Sequence, residues 1–208
     1  MQQEGEIFHL ILTVGFALMV PIGLYHRLRS HTDESLDRRQ EGMFILISLR
    51  LVGLGGMAGL IAYIIDPSSM AWSALPLPRW LRWFGVVLGI AGGVLMTWTL
   101  HTLGRNLTDT VVTRKDHSLV ISGPYRFVRH PFYSSSFLAI AANALVAANW
   151  FFLVGGTIFF VFISIRTGKE EALLVVRFGN EYRNYMKQTG RFLPGRRSST
   201  LPSRRNQE

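Results

Sequence analysis

Five apolar blocks divide this chain and leave it few ways to fold. Segments 6–25, 43–65, 83–100, 132–148 and 150–165 carry only two formal charges among them, Glu6 and Arg50. A helix needs roughly 17–25 apolar residues to cross a bilayer. The first three blocks meet that length. The last two are short and nearly continuous, separated at Asn149-Trp150. One helix over 132–165 would run about 50 Å at 1.5 Å per residue, too long for a single crossing. The pair is therefore predicted to be a helical hairpin turning near Ala147-Ala148-Asn149. The expected fold is all-α and integral to the membrane, with five transmembrane helices.

The basic residues are distributed to match. Lys and Arg number four in 26–41, five in 103–131 and ten in 166–208, against two in 66–82 and none in the first eight residues. Short basic loops stay in the cytoplasm. This predicts an N-terminus outside, the 26–41 and 103–131 loops inside, and a cytoplasmic C-terminus in a plasma (inner) membrane. The net charge of +9 is then the excess of a face beside anionic lipid, not a sign of nucleic-acid binding. The first block lacks a basic leader and a small-residue cleavage site, so it reads as a span and not a removed signal peptide. The chain has no cysteine, which excludes disulfides, thiolate catalysis and Cys-based metal sites. His9, His26, His31 and His101 lack regular metal-ligand spacing, and no metal is expected.

Composition changes along the chain. Residues 1–102 read as a three-helix scaffold whose glycines (Gly53, Gly55, Gly56, Gly59, Gly85, Gly89, Gly92, Gly93) thin the second and third helices for close packing. Arg50 is expected to face the bundle interior or a partner, since lipid-facing charge is expensive. Residues 103–195 form a second region: a long loop with enough apolar residues to fold onto something, then the hairpin, then a cytoplasmic amphipathic helix broken near Gly179. Residues 196–208 form a basic tail predicted to be disordered.

Chemistry concentrates in that second region. The run Gly123-Pro124-Tyr125-Arg126-Phe127-Val128-Arg129-His130-Pro131-Phe132-Tyr133 places cations, a histidine and tyrosines just before an apolar helix, on backbone stiffened by proline. His130 either caps that helix or is aimed at a ligand, and Tyr133 is either an interfacial aromatic or part of the same site. At the far end of the hairpin, Arg166 and Glu170 stand four apart on one helix face. They are either a helix ion pair or a substrate-holding pair. Arg129 is either an interfacial cation or part of the site, and Glu171 has no clear role. Tyr182 and Tyr185 read as packing residues.

These segments resemble the isoprenylcysteine carboxyl methyltransferase family. The resemblance rests on His117-Ser118-Leu119-Val120, Gly123-Pro124-Tyr125, Arg129-His130-Pro131-Phe132-Tyr133, Arg166, Glu170-Glu171, Phe178-Gly179-Asn180-Glu181-Tyr182-Arg183-Asn184-Tyr185 and Phe192-Leu193-Pro194, in order over about 103–195. It implies S-adenosyl-L-methionine as cofactor. His117, Ser118, Leu119, Val120, Tyr125, His130, Pro131, Phe132 and Tyr133 are the implied cofactor contacts. Asn106 and Thr113 are weaker candidates in the same loop. The residue types suit such a ligand, because apolar and aromatic side chains flank an adenine and aromatic faces attract a sulfonium. On the same resemblance Arg166 and Glu170 are the catalytic pair, Arg166 holding a carboxylate by its guanidinium fork.

The implied reaction is methyl transfer at the membrane surface, within a cytoplasmic pocket, to the carboxylate of a lipidic or isoprenylcysteine-like acceptor. The partners expected are that acceptor and membrane lipid, with oligomeric state open. The single helix ahead of the 26–41 loop suggests a compact, prokaryotic member. Two other readings stand beside it. An NADPH-dependent membrane reductase of the sterol-reductase type shares an Arg-His-Pro-x-Tyr segment and a late Tyr-x-x-Tyr. A non-enzymatic membrane protein is the third.

Overall fold

The structure is a computed structural model and describes residues 2–29, 43–103 and 119–195. It is all-helical in these parts, apart from two isolated β-bridges. The helices are α1 (Gln2–Arg29), α2 (Met43–Ile65), α3 (Arg79–Leu103), α4 (Pro131–Val146), α5 (Trp150–Phe178) and α6 (Asn180–Gln188). Short 3₁₀ helices cover Pro67–Ser73 and Gly123–Arg126, the second within the stretch that the prolines stiffen.

Among the described residues, α1, α2, α3 and α5 are long and apolar enough to cross a membrane. Their large side chains, including Leu10, Leu18, Phe44, Leu54, Val87 and Val94, point outward and are exposed. Such an apolar exterior belongs in hydrocarbon. With 16 residues, α4 rises about 24 Å, shorter than the other four.

Packing follows the glycines on α3. A methyl group added at Gly85 would lie 2.7 Å from Leu145 Cβ, and one at Gly92 3.0 Å from Leu138 Cβ. The two helices run antiparallel in contact close enough that only glycine fits. Gly59 of α2 does the same against Phe151 of α5, while Ile45 and Leu49 pack on Ile163. Gly53, Gly55 and Gly56 depart from the expectation, for they have open space where a side chain would be. Arg50 is exposed and does not turn into the bundle, which leaves the partner-facing alternative of the expectation. The face of α2 that packs on α5 carries Ile45, Leu49 and Tyr63; Gly55 and Arg50 lie well round the helix from it, whereas Gly56 shares that face and still meets no neighbour.

The hairpin turns where the apolar run predicts. Ala148 has a positive φ of 51°, and Asn149 caps α5 by accepting a hydrogen bond from Phe151 N at 3.0 Å. Its Nδ2 also donates to Met70 O at 3.1 Å, and Leu75 N donates to Ala148 O at 2.7 Å. Arg82 of α3 donates from Nε and Nη2 to Val146 O, at 3.1 and 2.7 Å. That carbonyl would otherwise be an orphan at the α4 C-terminus. At the opposite end, α5 continues past its apolar part to Phe178. It stops at Gly179, whose φ of 55° favours a residue without Cβ, and α6 follows.

Candidate functional site

α4 begins and α5 becomes charged at the same end of the hairpin, so antiparallel packing brings His130-Tyr133 against Glu170-Glu171. Helix phase then separates the two glutamates. Glu171 continues the buried face of α5 that holds Ile163 and Thr167 at four-residue steps and is only 3 % exposed. Glu170, about 100° around the helix, is half-buried.

Glu171 is the hub. Its Oε1 accepts from Arg129 Nε at 2.8 Å and faces His130 Nε2 at 3.3 Å. Its Oε2 accepts from Arg191 Nε at 3.1 Å and also from Nη2 of the same guanidinium. The Arg129 side chain is 9 % exposed, so Arg129 is no interfacial cation. Its Nη1 reaches the carbonyls of Met186 and Thr189, where the α6 C-terminus presents unpaired acceptors to a cation. A buried carboxylate is tolerable only when paired and hydrogen-bonded, and Glu171 has three such neighbours. Sequence reasoning leaves Arg129 undecided and Glu171 without a role, and Arg191 escapes it altogether. The Ile163-Thr167-Glu171 spacing is the signal that points inward.

The segment after α6 is tied into this centre. Arg129 N donates to Gly190 O at 2.8 Å and His130 N to Arg191 O at 3.1 Å, and Val128 bridges Gly190 in parallel. Ser134 Oγ donates to Phe192 O at 2.6 Å. Residues 189–192 thus lie along the entry to α4 as a strap, with the Phe192 ring 6.1 Å from that of His130.

Glu170 faces a different set. Tyr133 OH donates to its Oε2 at 3.0 Å, while Oε1 stands 4.0 Å from His130 Nδ1. The His130 and Tyr133 rings stack with 5.6 Å between centroids and 15° between planes. His130 occupies the N-cap position of α4, yet its side chain makes no capping hydrogen bond. The ring instead meets Glu171 through Nε2 at 3.3 Å, with Nδ1 4.0 Å from Glu170.

The other residues read from sequence fall around this centre. Pro131 is buried and opens α4, and the Phe132 ring meets Tyr133 edge-on at 5.9 Å. Tyr125 lies in the 3₁₀ turn, where its carbonyl accepts from Tyr185 OH at 2.6 Å. Burial pushes the Tyr125 phenol well above its usual range, with Glu170 and Tyr185 adding to the shift. Burial raises Tyr182 and Tyr185 in the same way, so all three remain neutral donors. Leu119 and Val120 are half-buried just before the turn, and Arg166 is half-buried one turn before Glu170. Thr113, His117 and Ser118, with Asn106, lie outside the described residues.

A shallow apolar hollow with only about 10 Å³ of free volume opens beside Tyr133, lined by Phe137, Ile140, Phe159 and Ile163 among others.

Residues 85–176 match the family described as the isoprenylcysteine carboxyl methyltransferase family. Among curated proteins, the chain is 31 % identical over 118 residues to a protein-S-isoprenylcysteine O-methyltransferase of Dictyostelium discoideum, covering 55 % of this chain and 50 % of that protein. It is 34 % identical over 118 residues to the protein of the same description from Xenopus laevis, covering 55 % and 41 %. The chain thus spans about half the length of the curated relatives it matches. Among solved structures, a eukaryotic intramembrane Ras methyltransferase matches with a TM-score of 0.52 at 26 % identity, over 70 % of this chain and 51 % of that one.

Proposed function

We propose that this chain, whose residues 85–176 are a segment of the isoprenylcysteine carboxyl methyltransferase family, is a membrane methyltransferase. In this reading it transfers a methyl group from S-adenosylmethionine to the carboxylate of an isoprenylcysteine-like acceptor. The observation that carries the reading is the convergence of Arg129, His130 and Tyr133 on Glu170 and Glu171, because helix packing gathers there residues on which the sequence resemblance rests.

The residues present fit the cofactor. Glu170 and the stacked His130 and Tyr133 rings suit a ligand bearing an ammonium and a sulfonium, since a carboxylate and aromatic faces both attract cations. Half-buried Leu119 and Val120 offer apolar surface to a base. Glu170, His130 and Tyr133 would hold the cofactor, with His117, Ser118, Thr113, Tyr125, Pro131 and Phe132 completing the set that the resemblance implies. When bound, S-adenosylmethionine supplies a methyl group on a positively charged sulfur.

The chain's own contribution is alignment and dryness. Arg166 holds the acceptor carboxylate by its fork, and the apolar hollow beside Tyr133 keeps water from it. A carboxylate is already ionised, so no strong base is required. Charge is lost as the methyl moves, and a dry site favours that change.

The same reading orients the protein. α5 crosses the membrane and the turn at Asn149 returns the chain, so α4 crosses as well and the spans number five. The charged end then lies on the cytoplasmic side, with the basic loops. The test is incubation of the detergent-purified protein with methyl-labelled S-adenosylmethionine and an S-farnesylated cysteine. A base-labile methyl ester is expected only when the acceptor carboxylate is free. Equal labelling of an acceptor with its carboxylate blocked as an amide would contradict the reading.

A further inference from the structure

α2 carries a single charged side chain along its whole length, Arg50. It stands seven residues into the helix Met43–Ile65, about 10 Å from the start at 1.5 Å per residue. Leu49 beside it packs on Ile163 of α5, so this half of α2 is the one nearer the charged end of the hairpin. Arg50 itself is exposed, and no hydrogen bond or ion pair joins it to another described residue. Toward the helix start its face continues with Leu46, Ile47 and Met43, all apolar. A guanidinium facing hydrocarbon without a counter-charge is costly. The Cα–Cβ bond of a helical residue tilts toward the N-terminus, and α2 starts at the near membrane surface. The side chain therefore leans toward the headgroups, the less costly direction.

The surface around Arg50 fits one kind of anion. Gly53, one turn further along, has open space where a side chain would be. Leu54, Met57 and Ile61 continue the face of Arg50 at steps of four and three, and all are exposed. A cation above an apolar stripe matches a phosphate above an acyl chain. An arginine fork binds phosphate through two parallel hydrogen bonds. A second copy of this chain offers no acid at that depth among the described residues of the spans. Glu4 and Glu6 lie at the opposite end, where His9 Nε2 stands 2.9 Å from Ile64 O, and Glu170 and Glu171 belong to the polar centre.

We infer that Arg50 binds the phosphate of a membrane lipid in the leaflet at the charged end of the hairpin, with an acyl chain lying along Leu54, Met57 and Ile61. The lipid preferred is one whose head is anionic overall, because a zwitterionic head brings its own cation to the phosphate. The site requires neither methyl donor nor acceptor.

The experiment is native mass spectrometry of the delipidated full chain in detergent, titrated with phosphatidylglycerol, phosphatidylcholine or diacylglycerol of the same acyl chains. The wild type is expected to hold its first phosphatidylglycerol about tenfold more tightly than Arg50→Leu does, at the low end for hydrogen bonds to a charged group. Phosphatidylcholine should bind the wild type more weakly, diacylglycerol should not be retained, and excess inorganic phosphate should not displace the lipid. Arg50→Lys keeps the charge without the fork and should fall between the two. Arg79→Gln, at the opposite end where Arg79 pairs with Glu4, should bind as the wild type does. Leucine suits a lipid-facing position, so Arg50→Leu should fold; if it does not, Arg50→Lys carries the test. First-lipid affinity unchanged in both Arg50 variants would overturn the site, as would equal retention of diacylglycerol by the wild type. Displacement by inorganic phosphate would overturn the assignment to lipid. A lipid-independent dimer that Arg50→Leu dissolves would give this face to a second copy and overturn it as well.

Discussion

The two ends of the α4–α5 hairpin solve different problems with similar residues. At the turn, Arg82 and Asn149 spend their hydrogen bonds on backbone, at Val146 O, Met70 O and Phe151 N. At the charged end, Arg129 and Arg191 converge on one carboxylate, and beside it Glu170 and His130 keep atoms turned toward each other without contact. The turn is closed chemistry, because its groups complete the helix ends and nothing more. The charged end has a satisfied core at Glu171 and an unfinished edge at Glu170. Burial of charge marks the foundation of this site, and the half-buried group beside it marks the working surface.

The comparison breaks most sharply at Glu171. Glu171→Ala leaves Arg129 buried without its counter-charge, and such losses cost about 3–5 kcal/mol. Thermal unfolding in detergent should show this as the largest destabilisation of any single change at either end. A Tm close to wild type would mean the charged end is not built on this pair. Arg166→Ala should be milder on folding and severe on turnover, with kcat/KM for the acceptor falling about a hundredfold through lost alignment while donor affinity holds. Unchanged acceptor kinetics would remove Arg166 from the site.

At the turn, Arg82→Ala should cost about 1–3 kcal/mol for the exposed helix-end carbonyl, and Asn149→Ala about 0.5–2 kcal/mol as a lost cap. Neither should alter donor binding, and a loss there would show that the two ends are coupled. The smallest effect is alkaline. Burial raises the phenols of Tyr125, Tyr182 and Tyr185, so the folded chain keeps protons that the unfolded chain releases above about pH 10. Stability from these groups is fully present below that pH and falls as pH rises through it. A pH–Tm profile flat to pH 11 would argue that the tyrosines are more open than they stand here.

Much of the frame is legible in residues alone, for definite reasons. Apolar blocks mark helices because hydrocarbon admits little else, and the turn at Ala148-Asn149 is marked by the length limit on a single crossing. Gly179 announces the break after α5. What is hidden depends on helix phase and on contacts across long stretches of chain. Whether Glu170 or Glu171 is buried differs by one residue, and the four-residue match of Arg166 with Glu170 draws attention from the deeper stripe of Ile163, Thr167 and Glu171. Arg191 lies beyond α6, and only the strap's pairing with Arg129 and His130 brings it back. On α2, glycine content alone does not tell which face will pack, so Gly53 reads as a packing residue yet lies outward.

The most direct test of the central claim is binding of radiolabelled S-adenosylmethionine to the detergent-purified protein, with unlabelled NADPH as competitor and His130→Ala as control. The account predicts saturable binding that NADPH does not displace and that is lost in the variant. Displacement by NADPH, or binding that survives loss of the imidazole, would contradict it.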